Sequence, residues 1–558
     1  MKERYIELME CALSAYSRDD IERYFETVKR EGLTEHGFPR LASNIGILIA
    51  HNRCGDLMPL FLEMMEFCCR TIPTVKAAND FSVREIVSCI GALESSSVID
   101  PAVIDRWKGY LSAIDPMTCY NVVALLPTDK LKNWALFTGV SEFFRYRMGL
   151  GGSEDFIDTQ IATQLQWLDE NGMYMDEDGD THHPIMYDLV ARGLFALLLN
   201  EGYRGCHYKA VDECLKRAGL VTLKMQSPNG EMAFGGRSNQ FVHNEPWMIA
   251  VYEYEARRYA KEGNHALAGA YKSAIKRALA VTEDWLSKDP IYHIKNRFPT
   301  DTHFGCEDYA YFDKYMITAA SNLYVAYLIC DDTIPTVEEV DHKPVVQATS
   351  AHFHKLFLKA SGYGLEFDVD ADPHYDACGL GRVHREGAPS AICLSVPCPA
   401  EPKYTVDIEK PFGLSLCPGI IRGEEWEFAA DSKTKYEIVD SAVSDGSAYA
   451  TVCTHFSNGT DILANYVVNA DGVSIEVTGP GDLGYMLPAF YFDGETHSLI
   501  ELADNVLNIS YKGWVCCYAV DGSIHDEEKL AVNRNGYYKT YVATGKNNLR
   551  ITIQILKQ

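Results

Sequence analysis

The chain has 558 residues, 47% of them hydrophobic and 23% charged, enough apolar material for more than one large core and too much for a disordered chain. Its formal net charge of −27 argues against nucleic acid and anionic membrane surfaces as partners, since both repel such a chain at long range. An acidic small substrate is not excluded, because a local cluster of Arg, His and amide groups binds a carboxylate whatever the global charge.

The N-terminus, "MKERYIELMECALSAYS", is interrupted by charges and lacks the apolar core of a secretory signal. No apolar run reaches the roughly 18 residues of a membrane span. The 17 cysteines include no CxxC pair, and several, such as Cys68, Cys69 and Cys89, sit in apolar helical context. A reduced, cytoplasmic protein is expected. The helical segment from Met1 to about Ser95 is left with three roles: completing a ring, blocking a cleft, or pairing subunits in a homo-oligomer.

From "AVIDRWKGYLSAID" to "HALAGAYKSAIKRALAVTEDWLSKD", apolar residues recur at three- and four-residue spacing between short Gly, Asn, Asp or Pro turns. This is the pattern of antiparallel helix hairpins. Two connections, "LDENGMYMDEDGD" and "MQSPNGEMAFGGRSN", each place an Asn-Gly turn after a helix and then a polar excursion. The expected architecture is an (α/α) toroid or incomplete barrel over residues 1–335, with loops at one end lining a cleft. "DDTIPTVEEVDHKPVVQ" reads as a linker. Beyond it come alternating runs such as "HKLFLKA", "YGLEFDVDA", "SAICLSVP", "DILANYVVN" and "LRITIQIL", which predict an antiparallel β-sandwich over residues 345–558.

Four polar clusters carry candidate chemistry. The first is "GGRSNQFVHNEPW", Gly235 to Trp247, where Arg237, Asn239, Gln240, His243 and Glu245 gather at the mouth of a helix. Asn244, Glu245 and Pro246 also suit a simple helix start, and a helix N-terminus is itself an anion site. The second, "DTHFGCEDYAYFDKYM", crowds His303, Glu307, Tyr309, Tyr311 and Tyr315 together. Tyr311 and Tyr315, four apart, are expected on one helix face, with Tyr315 in packing. The third, "DGDTHHPIMYD", offers His182, His183 and Tyr187 beside a helix start at Pro184. The fourth, "HYDACGLGRVHREG", puts Arg382 and His384 on one strand face, within reach of the cleft. There is no HExxH, EF-hand loop, P-loop, GxGxxG with a downstream acid, GxSxG or kinase motif set. His352 and His354 at i, i+2 spacing are weak metal ligands. No metal and no cofactor are expected.

This mixture suits a uronic acid. The C5 proton of a uronate is α to a carboxylate and becomes acidic when that charge is neutralised. Arg237, Asn239 and Gln240 suit that neutralisation, His243 the base, and Tyr309 or Tyr311 the acid that protonates the leaving oxygen. Glu245 or His303 would orient a neighbour. The chain also resembles the heparinase II/III-like and alginate-lyase group and related uronate-acting α/α-barrel enzymes. The segment "GRSNQFVHNE" is similar to their amide-plus-His segment, and "CEDYAYFDKY" to their Tyr-containing loop. In that group the His follows an Asn closely, whereas here Gln240, Phe241 and Val242 intervene between Asn239 and His243. The resemblance implies β-elimination on a uronate oligosaccharide, acting from an end. Two other readings stay open. One is a hydrolase releasing terminal uronic acid, which needs two facing carboxyl groups, drawn from Glu245, Glu307, Asp308, Asp188 and Asp301. The other is a non-catalytic carbohydrate-binding scaffold.

Overall fold

The computed structural model describes residues 1–176, 184–337, 343–430 and 433–558. Helices fill the chain from Lys2 to Ile329, and antiparallel strands fill it from Val345 to Lys557. Helical toroid and β-sandwich therefore follow one another as the hydropathy patterns predict.

The toroid is a closed ring. Six helices, Gly37–Ala50, Asn79–Ser96, Trp134–Arg147, Ile185–Asn200, Asn244–Lys261 and Phe312–Ile329, pack each against the next, and the last returns to the first. Of the roles left open for the N-terminal segment, it takes the first: it supplies the first two inner helices and so completes the ring. Inner helices are buried nearly all round. In Gly37–Ala50 every residue from Gly37 to Ile49 is buried, and in Ile185–Asn200 all but Tyr187 and Asn200 are. Such helices show no polar face, because other helices cover them on every side. Outer helices such as Arg18–Glu31 and Tyr208–Met225 keep one apolar stripe and a charged face. Arg18–Glu31 begins with a capping box between Ser17 and Asp20, which fixes its start.

Among the described residues the β part forms two sheets. Val345–Ala348, Lys355–Ala360, Tyr363–Asp368 and Gly379–Arg385 pair in sequence order. An 11-stranded sheet built around the long antiparallel pair Gly472–Phe492 and Gly536–Lys557 packs across it. Leu356, Leu358, Leu365 and Phe367 from the small sheet meet Val452, Ala464 and Tyr466 from the large one in a single core, with the Phe367 and Tyr466 rings 4.7 Å apart. The run "SAICLSVP" is not a strand. It makes only an isolated bridge, Val383 to Leu394, and Pro397 at its end has no N–H to extend a ladder.

The two parts meet along the loop between helices Tyr208–Met225 and Asn244–Lys261. Arg382 Nη1 donates to the Met232 carbonyl (2.8 Å), His384 Nδ1 shares a 2.6 Å hydrogen bond with Ser227 Oγ, and Gly236 N–H donates to Asp376 Oδ2 (2.7 Å). The sandwich thereby holds a toroid loop in shape.

Candidate active site

All six inner helices start at the same end of the ring, and their first turns surround one cavity of about 410 Å³. Arg40, Phe81, Trp134, Tyr187, Trp247 and Tyr315 each come from a different inner helix and line it. The N-terminal half-charges of six helices therefore converge there, and this favours an anion. Side chains add to the field. Arg40, Lys132, Arg237 and Lys314 line the cavity against a single carboxylate, Glu35, among the described residues. That concentration of positive charge stands out in a chain of net charge −27. Phe81, Trp134, Phe137 and Trp247 give it an aromatic wall, the surface on which sugar C–H faces pack.

A larger recess, about 650 Å³, opens at the opposite end of the ring. It gathers the C-terminal ends of five inner helices together with Glu94 and the Arg147–Glu201 ion pair. Helix C-termini repel anions, so the smaller cavity is the candidate site. Among the described residues none lines both recesses.

His243 ends the loop Gly235 to Val242 and is the N-cap of Asn244–Lys261. Its ring is 5.6 Å from that of Tyr315, which in turn lies 5.9 Å from Tyr309. Ser238 Oγ shares hydrogen bonds with Tyr309 Oη (2.5 Å) and Tyr187 Oη (3.2 Å). The Arg237 guanidinium sits 4.9 Å over the Tyr187 ring. Loop residues Ser238 and Gln240 hold left-handed backbone, with φ of 60° and 63°. Non-glycine residues adopt that region at a cost, and such strain clusters at functional sites. Here the Ser238 N–H is fixed by donating to Glu307 Oε1 (2.9 Å), and the Asn244 side chain turns back to bond Phe241 N–H and the Ser238 carbonyl. Asn244 thus fastens the loop rather than capping the helix.

Protonation states follow from burial. Desolvation first, then the nearby basic groups Arg40, His293 and Lys295, pushes the His243 imidazole down to about 3. Its Nδ1 is buried with no hydrogen-bond partner. His243 is therefore a neutral ring at ordinary pH. Burial drives the phenols the other way: Tyr309 and Tyr315 are held well above 10 and Tyr187 is also raised, so all three keep their protons.

Of the side chains singled out in the sequence, His243, Tyr309, Tyr187 and Arg237 line this cavity. Others stand elsewhere. Glu245 is buried in an ion pair with Lys295 (2.6 Å) and accepts from Met232 N–H. Glu307 is buried against Arg534 (2.6 Å). Neither lines the cavity, since each carboxylate is used to hold the loop from behind. Asn239 donates to the Ala233 carbonyl and accepts from Gln240 Nε2 (2.8 Å), so both amides face into the loop. Tyr311 is 59% exposed outside the cavity and precedes its helix as the N-cap. His303 is exposed in a turn. Arg382 is spent on Glu366 (3.1 Å) and Met232, and His384 on Ser227; both lie at the seam between the two parts, away from the cavity. His182 and His183 lie outside the described residues. Ser238 and Tyr315 join the site although sequence reading did not place them there. Two of the carboxylates considered for hydrolysis are likewise displaced: Asp188 is locked to Arg192, and Asp308 is exposed.

No protein-family model and no curated protein sequence matches the chain. Among solved structures it is similar to heparan sulfate lyase HepC from Pedobacter heparinus, at 9% identity over 94% of this chain and 76% of that one, with a TM-score of 0.48. It is also similar to heparinase III, at 7% identity over 85% and 77% of the two chains (TM-score 0.38), and to endoglucanase CelQ from Clostridium thermocellum, at 9% over 93% and 84% (TM-score 0.28). Likeness at this level concerns the arrangement of helices and strands; the chemistry is read from this chain's own residues.

Proposed function

We propose that the protein cleaves a uronate-containing oligosaccharide by β-elimination. One observation carries this reading: a neutral imidazole and protonated phenols share a cavity whose walls are cationic. An incoming carboxylate is drawn by Arg237 and by the converging helix N-termini. Neutralising that carboxylate acidifies the adjacent C5 proton. His243, neutral in the empty cavity, is the base; a bound anion beside it raises its basicity, because an opposite charge nearby favours the imidazolium. Tyr309, protonated and bonded to Ser238, is the acid that delivers a proton to the leaving oxygen, with Tyr315 between the two groups. Electrons from the C5–H bond form the C4–C5 double bond as the C4–O bond breaks, and the leaving sugar takes the proton from the phenol.

Hydrolysis fits less well. It needs a pair of carboxyl groups across the bond, and Glu35 is the one carboxylate among the described lining residues. It already accepts from Tyr24 Oη (2.6 Å) and Gly37 N–H (2.7 Å). A cavity of about 410 Å³ suits a saccharide end rather than the middle of a polymer, which supports action from a chain end. The test is incubation with a panel of uronate oligosaccharides, following ultraviolet absorbance. A conjugated unsaturated uronate must accumulate, and His243→Ala must abolish it. Cleavage without an absorbance gain would exclude the reading.

A further inference from the structure

A second group of side chains lies far along the chain from the cavity, on the large sheet. Cys453 and His455 are two residues apart on the strand Ser447–His455, so their side chains share a face. Asp461 is directly across from His455 in the following strand, and Glu437 is directly across from Cys453 in the preceding one. Three adjacent strands thus place a thiol, an imidazole and two carboxylates together at the end of the sheet path, where Lys435–Ser444 is the last strand. Cys453 Sγ, His455 Nδ1 and an Asp461 oxygen all lie within 4.8 Å of one another. The Sγ to Nδ1 distance is 3.9 Å, and Nδ1 to Asp461 Oδ1 is 2.8 Å. His455 Nε2 faces Glu437 Oε2 at 3.4 Å.

We propose that Cys453, His455 and Asp461 bind a divalent transition metal of the zinc class. Tetrahedral zinc, with Zn–S of about 2.3 Å and Zn–N of about 2.0 Å, needs a sulfur to nitrogen separation of roughly 3.5 Å, close to the one present. A mixed thiolate, imidazole and carboxylate set favours zinc over calcium or magnesium, which take oxygen ligands. Starting from the imidazolium held between Asp461 and Glu437, binding releases the thiol proton and the Nδ1 proton, the metal takes their places, and the ring keeps its Nε2 proton. Glu437 then accepts from Nε2–H, the outer hydrogen bond that orients a metal-bound histidine. A water completes the coordination. The site would clamp the terminal strand of the sheet to its two neighbours, and it departs from the expectation of a metal-free chain.

The probe is Co²⁺ added alone to the metal-stripped full-length protein, followed by Zn²⁺ competition. One equivalent should produce a thiolate-to-cobalt charge-transfer band, which Zn²⁺ abolishes. Cys453→Ser should remove the band, and Asp461→Asn should weaken binding at least tenfold, with circular dichroism unchanged in both. Exposed Cys206, whose Sγ lies near Asp158, is the control: Cys206→Ser should leave the band intact. Absence of a thiolate band at one equivalent, or a band that survives Cys453→Ser, would overturn the proposal.

Discussion

The hydroxyls of Ser238 and Tyr309 lie 2.5 Å apart, joining the loop before one inner helix to the loop before the next. Tyr309→Phe should therefore preserve folding and cost roughly 10² to 10⁴ in kcat, the range for a lost general acid. Ser238→Ala should cost less, because it orients the phenol without moving a proton to substrate. Steady-state kinetics with thermal melts check both. Full activity in Tyr309→Phe would remove the acid from the account.

Arg237, next to Ser238 in the chain, lines the cavity over Tyr187. Arg237→Ala should weaken carboxylate binding by about 1.5–3 kcal/mol, the worth of a charged hydrogen bond. In kinetics this is a fall in kcat/KM of about tenfold to a hundredfold, with a methyl-esterified substrate losing much less. An equal loss on acid and ester would place Arg237 outside carboxylate recognition.

The Glu307–Arg534 pair ties the helical loop to the β-sandwich. Both partners are buried, so removing one leaves an uncompensated charge. Arg534→Met should destabilise by about 3–5 kcal/mol, and Arg534→Met with Glu307→Gln by less. Denaturant unfolding of the single and double variants measures this. Activity should fall in step, because Glu307 also anchors the strained Ser238 backbone.

Buried histidines set the response to acid. His243 and His384 are held at about 3 and His293 at about 4, chiefly by desolvation. The unfolded chain binds protons at these groups near the ordinary histidine value of about 6.5, before the folded one does. Their stabilising contribution is thus fully present above about 6.5 and is lost progressively as pH falls toward their folded values. The melting temperature should drop between pH 6.5 and 4, and His384→Gln should flatten that drop. For activity, the acid limb of kcat/KM, which reports the free enzyme, should lie well below 6.5. A limb at 6.5 would assign the base to an exposed group.

The ring, the sandwich and the stretch Gly235 to Trp247 were legible because each leaves a local pattern: helical spacing, strand alternation, and polar groups massed before a helix. Tyr315 packs among rings as expected, but the shared helix face with Tyr311 fails for a local reason. Spacing of four puts two residues on one face only inside a helix, and Tyr311 is the N-cap with extended backbone (φ −62°, ψ 143°). The two phenols therefore diverge, one to solvent and one to the cavity. Glu245 and Glu307 look like free acids in sequence because their partners, Lys295 and Arg534, are 50 and 227 residues away. Ser238 gave no signal, since its role follows from a left-handed backbone that no residue type around it announces.

The central claim is elimination rather than hydrolysis, and the mass of the product tests it most directly. Cleavage of a uronate oligosaccharide in heavy-oxygen water, followed by mass spectrometry of both fragments, should give fragments whose masses sum to that of the substrate, with no heavy oxygen incorporated. Fragments heavier by one water and carrying the label would contradict the account and move the search to a carboxylate pair.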